Sequence, residues 1–251
     1  MTMKRLIAFL ASISFLTFLS GCAGDSASSS DAGPGGVGQG GSLARFAIAN
    51  NHLFAVNGSA LRVFDLSDNE SPVYLSEHEL FTTVETIFPR DESTLFIGTT
   101  TGMFIYGIAN APDIRQISRY DHIVACDPVV ANDSFAYVTL RSDQENNFCW
   151  RGVNQLDIID ITDLSRPQIV NQFPMINPKG LGLYGDTLLV CDAGLKVFDV
   201  SNPNQLKLIT ADEDFDAVDI IPNKDLMIVV SESGLNQYRY RKGKLNFLSR
   251  L

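Results

Sequence analysis

The chain has 251 residues, 45% hydrophobic and 19% charged, with 19 Gly, 10 Pro and a formal net charge of −10. That balance is ordinary for a globular protein and allows one large or two small domains. Setting aside Lys4 and Arg5, which lie in a segment expected to be removed, leaves 17 basic against 29 acidic residues, or −12. Such a surface repels nucleic acid and anionic headgroups, so nucleic-acid binding is not expected.

The N-terminus reads MTMKRLIAFLASISFLTFLSGC. Lys4 and Arg5 form a positive n-region, and Leu6 to Leu19 form an apolar run of 14 residues. That is the length of a signal-peptide core and too short for a comfortable membrane span. The closing Leu19-Ser20-Gly21-Cys22 resembles the lipobox of bacterial lipoproteins, in which the cysteine is acylated before cleavage. The resemblance implies a lipoprotein signal peptide over 1–21 and Cys22 as the lipidated first residue of the mature chain. Residues 22–42 then form a Gly/Ser-rich tether without apolar content, with an r.m.s. reach of roughly 25 Å. Several acyl chains hold a membrane where one would be marginal. Ala23 rather than Asp follows the cysteine. The expected address is the cell envelope, lipid-anchored at the outer membrane and facing the periplasm or the surface.

From Leu43 onward short β-rich runs alternate with turn signals, and no amphipathic helix of three turns stands out. The motif L-x-V-F-D-V-S-N-P, best seen as LKVFDVSNP from Leu195, recurs at Leu61, Met103, Leu156, Leu195 and Leu235, at spacings of 42, 53, 39 and 40 residues. A second ruler lies upstream, at Leu53, Leu95, Phe135, Leu188 and Leu226, at spacings of 42, 40, 53 and 38. Both give a period near 40 with one insertion in the third unit. Four candidate strands fit each unit, as in GLGLY, TLLVC, LKVFDV and LKLIT of the fourth. A forty-residue, four-stranded period is that of a β-propeller blade. One such sheet cannot bury both faces alone, so copies must stack. The expected fold is all-β: one five-bladed propeller over 43–251, with blades at about 43–81, 82–122, 123–175, 176–213 and 214–251. The recurring Asp65, Asp160 and Asp199 close a strand, each with Ser or Thr two residues on, and read as turn-formers rather than metal ligands.

The motif resembles the LVIVD repeat, found in bacterial extracytoplasmic β-propeller proteins, many of them lipoproteins. LDIID and LKVFD carry the likeness best. The fifth unit departs from it, with Tyr238-Arg239-Tyr240 where Phe-Asp-Val would stand. The resemblance implies a propeller and brings no catalytic residues with it.

By analogy with other propellers, a ligand meets the mouth formed by inner-strand starts and by the loops joining second and third strands. The inner-strand starts offer Glu85, Asp127, Lys179 and Asp219. The long third-blade loop, 141–155, offers Arg141, Glu145, Trp150 and Arg151, and loops of that length are often functional. Cys126 and Cys149 belong to the same end of the same blade, which favours a disulfide worth about 3 kcal/mol in the chain-entropy model. A rival pairing takes either of them to Cys191, whose ordinary reading is a small buried thiol in a strand. The only three histidines, His52, His78 and His122, form no His-x-His pair, so no metal site is expected. One tryptophan cannot supply the per-blade docking motif of quinoprotein propellers, and no cofactor is expected. No catalytic residue can be named. Two functions stand: a binding or scaffold module for a protein, peptide or glycan, or a hydrolase or lyase using carboxylates at the mouth.

Overall fold

The computed structural model describes residues 40–121, 128–142 and 153–251. Within them every regular element is a strand, and the strands form five four-stranded antiparallel sheets, each a simple meander. Blade 1 holds β1 (Phe46–Ala49), β2 (His52–Asn57), β3 (Ala60–Asp65) and β4 (Val73–Glu79). Blade 2 holds β5 (Val84–Asp91), β6 (Thr94–Thr99), β7 (Gly102–Gly107) and β8 (Arg115–Asp121). Blade 3 holds β9 (Val129–Ala131), β10 (Phe135–Leu140), β11 (Gln155–Asp160) and β12 (Gln168–Pro174). Blade 4 holds β13 (Pro178–Tyr184), β14 (Thr187–Asp192), β15 (Leu195–Asp199) and β16 (Lys207–Asp212). Blade 5 holds β17 (Ala217–Asn223), β18 (Leu226–Ser231), β19 (Gly234–Arg241) and β20 (Lys244–Arg250). The five-bladed propeller expected from the sequence is the fold, and each sheet falls within its expected segment.

The first ruler marks one equivalent position in the third strand of every blade. The second slips by one residue in two blades: Ala136 and Met227, not Phe135 and Leu226, face the same way as Leu53, Leu95 and Leu188. A one-residue slip moves a side chain to the other face of a sheet.

Turn chemistry is as the repeat indicates. Asp65 Oδ1 accepts the Ser67 N–H at 2.9 Å and the Ser67 hydroxyl at 2.7 Å. Asp160 does the same with Thr162, at 2.9 and 2.7 Å, and Asp199 with Ser201, at 3.0 and 2.7 Å. These donors hold all three carboxyls below the usual carboxylate range. The aspartates are turn-formers, and among the described residues no cluster of three His, Cys, Asp or Glu could hold a metal.

Packing runs from blade to blade. One apolar cluster joins blades 1 and 2 through Phe54, Leu61, Leu95 and Ile97, and a second joins blades 2 and 3 through Phe96, Met103, Val138 and Ile159. A third joins blades 3 and 4 through Tyr137, Leu156, Leu188 and Val190. The fourth joins blades 4 and 5 through Leu189, Val197, Met227 and Val229, and contains Cys191, a free buried thiol. The thiol is thus not cross-linked, and burial pushes its pKa up. The strands β6, β10 and β14 of the middle blades are buried almost throughout, whereas β18 is buried at alternate residues and β2 only at Phe54. Continuous burial means a sheet covered on both faces, and alternation means one covered face.

Candidate functional site at the polar mouth

The first strands of the blades, β1, β5, β9, β13 and β17, pack successively and line an axial channel. Its two ends differ. At the strand ends lies a cavity of about 420 Å³, lined mostly by apolar groups such as Phe46, Ile87, Val130, Leu181 and Ile220. At the strand starts lies a cavity of about 240 Å³ that collects Glu85, Arg141, Lys179 and Glu232. This second cavity lies at the end of the blades where the sequence reading placed a mouth, and is called the mouth below.

The inner strands reach it through a shared device. In β5 the pairing with β6 skips from Val84 to Thr86, leaving Glu85 at a bulge. In β13 it skips from Pro178 to Leu181, past Lys179, and in β17 from Ala217 to Asp219, past Val218. An unpaired bulge residue leaves the ladder and re-aims its side chain, a frequent device beside binding sites. Glu85, Lys179 and Val218 all line the mouth. Lys179 is further held in place: its carbonyl accepts the Thr139 hydroxyl at 2.8 Å, and its ammonium stands 3.7 Å from Asp216. Arg141 follows β10 in the third blade, so the four charges are drawn from four different blades.

Asp219 departs from expectation. The bulge that points Val218 to the mouth turns Asp219 toward the axis, where it is 8% exposed. There its carboxylate accepts the Ser42 hydroxyl at 3.0 Å, the Leu43 N–H at 3.1 Å and the Ile220 N–H at 2.9 Å. Ser42 Oγ in turn accepts the Leu181 N–H at 2.7 Å. Gly41 and Gly180 leave room for the carboxylate, since a Cβ on either would come within 2.2 Å of it. Burial pushes the Asp219 carboxyl up, partly countered by these donors. Asp219 is a clasp tying the segment before β1 to blades 4 and 5, not a mouth residue. Gly41 and Ser42, expected in the tether, belong to the fold: Ser42 is 1% exposed.

Asp127, Glu145, Trp150 and Arg151 lie outside the described residues, as do Cys22 and the Cys126–Cys149 pair. Glu232 was missed by sequence reading although it sits in the turn between β18 and β19, the class of loop that should have been searched. No sequence signal marked Ser42, which is hidden in a Gly/Ser-rich run.

No curated protein matches this chain. Its fold is similar to that of a functionally unknown protein from Desulfotomaculum acetoxidans, at 12% identity and a TM-score of 0.63 over 86% of this chain and 68% of that one. It is also similar to the periplasmic gluconolactonase PpgL of Pseudomonas aeruginosa, at 15% identity and 0.61 over 80% and 67%. BamB from Moraxella catarrhalis aligns at 13% and 0.55 over 86% and 66%. At such identities the likeness is one of fold. The LVIVD repeat profile matches residues 151–174 and 179–214, which carry the outer half of blade 3 and most of blade 4. The chain is a β-propeller that carries LVIVD repeats.

Proposed function

We propose that the protein is a non-catalytic binding module of the cell envelope, held to the membrane by acyl chains on Cys22, which takes a protein, peptide or glycan at its polar mouth. The observation that supports this most is the gathering of two acids and two bases, Glu85, Glu232, Arg141 and Lys179, around one 240 Å³ cavity. Charges of both signs on a rigid rim give orientation and specificity to a polar partner. A hydrolase or lyase would draw on Glu85 and Glu232 instead, since two carboxylates share this cavity. Peptide and glycan arrays separate the two readings. Joint replacement of Glu85, Arg141 and Lys179 by Gln should abolish array binding while the thermal transition stays in place. Turnover of an array compound, lost on Glu85→Gln or Glu232→Gln, would contradict the binding reading. The anchor is tested apart: Cys22→Ala should remove fatty-acid labelling and release the protein from membranes, and label retained by that variant would exclude Cys22.

A further inference from the structure

The apolar end of the axial channel is walled off from the mouth by residues 40–44. Gly40, Gly41 and Ala44 line the 420 Å³ cavity, whereas Leu43 lines the mouth. The segment is fixed across the channel at three blades. Ser42 is bonded to Asp219 of blade 5 and to the Leu181 N–H of blade 4. The Ala44 carbonyl accepts the Ile87 N–H of blade 2 at 2.9 Å. The apolar cavity is therefore a cup closed on the side of the mouth.

Its volume lies within the roughly 300–1,000 Å³ of small-molecule sites. At roughly 30 Å³ for a group of water's size, it seats about fourteen heavy atoms. That is one medium-length chain with its head, and not a two-chain lipid. The wall follows β5 from Ile87 to Arg90, roughly 10 Å at about 3.3 Å per residue. Among the described residues that line it there is one charge, Arg90, and no acid. Pairing of β5 with β6 skips from Pro89 to Asp91, so Arg90 sits at a second bulge, as Glu85 does at the other end of the strand. Its Nε donates to Asp91 Oδ2 at 2.7 Å and its Nη2 to Thr94 Oγ1 at 3.0 Å. Asp91 Oδ1 meanwhile accepts the Ser93 N–H and hydroxyl, at 2.7 and 2.6 Å, as a turn aspartate. The other N–H groups of Arg90 have no partner among the described residues, and its side chain is only 14% exposed. A guanidinium held in this way offers an oxyanion donors already in place. Asn132 also lines the cup. Its oxygen accepts the N–H groups of Ser134 and Phe135 at 2.9 and 2.7 Å, which leaves it only amide donors to offer.

We propose that this cup binds a medium-chain aliphatic carboxylate, its chain along the axis and its head on the donors of Arg90 and Asn132. Removal of the chain from water among Ile87, Val130, Leu181 and Ile220 supplies the affinity. The head supplies the selection among apolar molecules. A cationic head meets the wrong sign at Arg90. An uncharged head leaves the half-hidden guanidinium without a charged acceptor, which costs affinity. Asp91 offsets part of the Arg90 charge, so the discrimination is moderate. The site is independent of the mouth, where charges of both signs meet.

Calorimetric titration of the full chain with decanoate, decanol and decylammonium, each below its micelle concentration, tests this. The expected result is one decanoate per chain, with a negative heat-capacity change. Decanol should bind about tenfold more weakly, and decylammonium more weakly than decanol. Arg90→Gln should abolish the preference for decanoate and leave decanol binding where it was. Phe46→Ser, at a 60% exposed position on the cavity wall, should weaken both alike. The contrast between decanoate and decanol in the unsubstituted chain stands even where a variant fails to fold. No decanoate bound throughout the micromolar range would overturn the proposal, as would decanol bound as tightly as decanoate. Loss of decanoate binding on Lys179→Gln would overturn it as well, by placing the anion at the mouth.

Discussion

Blades 2 to 4 and blades 1 and 5 are written with the same repeat but bury it differently. In β6, β10 and β14 almost every residue is inside, because each of these sheets has a neighbour on both sides. In β18 and β19 burial alternates, and the residues alternate with it: Asn236, Tyr238 and Tyr240 face blade 4, while Gln237, Arg239 and Arg241 face away. The departure of Tyr238-Arg239-Tyr240 from the repeat is thus the signature of a sheet with one covered face. A continuous apolar strand encodes two neighbours, and an alternating one encodes a single neighbour.

The comparison can be broken most forcefully in the cores. Ile97→Ala, at a fully buried junction position, should cost about 2–5 kcal/mol by transfer and cavity formation. Ile228→Ala on the open face of blade 5 should cost under about 1 kcal/mol, measured by urea unfolding. Equal costs at the two sites would mean that both faces of blade 5 are covered.

The clasp is the next largest effect. Ser42→Ala removes the acceptor of the buried Leu181 N–H and a donor to Asp219, and should cost about 1–3 kcal/mol. Because Ser42 bridges the segment before β1 to blades 4 and 5, the loss should appear first as increased proteolysis near Gly40. A nick in the middle blades instead would place the weak point elsewhere.

Acid sharpens the comparison by sign. Asp65, Asp160 and Asp199 have folded pKa values below the unfolded value of about 3.9, held down by their Ser and Thr donors. Their contribution is complete above that value and is lost as pH falls through the lower folded values. Asp219 runs the other way. Its folded pKa is raised by burial, so its ionisation takes away stability as pH rises from about 3.9 through the folded value. Asp199→Asn should therefore reduce the acid sensitivity of unfolding, and Asp219→Asn should remove an opposing slope at higher pH. The same direction of change in both variants would contradict the assignment.

Much of this was legible in the sequence, for physical reasons. The period and the turn aspartates were visible because a blade needs strands and turns at fixed spacing, whatever its neighbours. The mouth was legible in part. Glu85 and Lys179 were found by their place at inner-strand starts, but so was Asp219, which a bulge at Val218 turns inward. Bulges leave no composition signal, so the aim of a residue at a strand start could not be read. Ser42 was illegible for a different reason: a buried clasp residue amid glycines and serines looks like tether until its partner, 177 residues away, is known.

Hydrogen exchange resolved by strand tests the central difference between the blades directly. Amides of β6, β10 and β14 should exchange only through global unfolding, and those of β2, β18 and β19 sooner, through opening of the end blades. Uniform protection across all five blades would contradict the account.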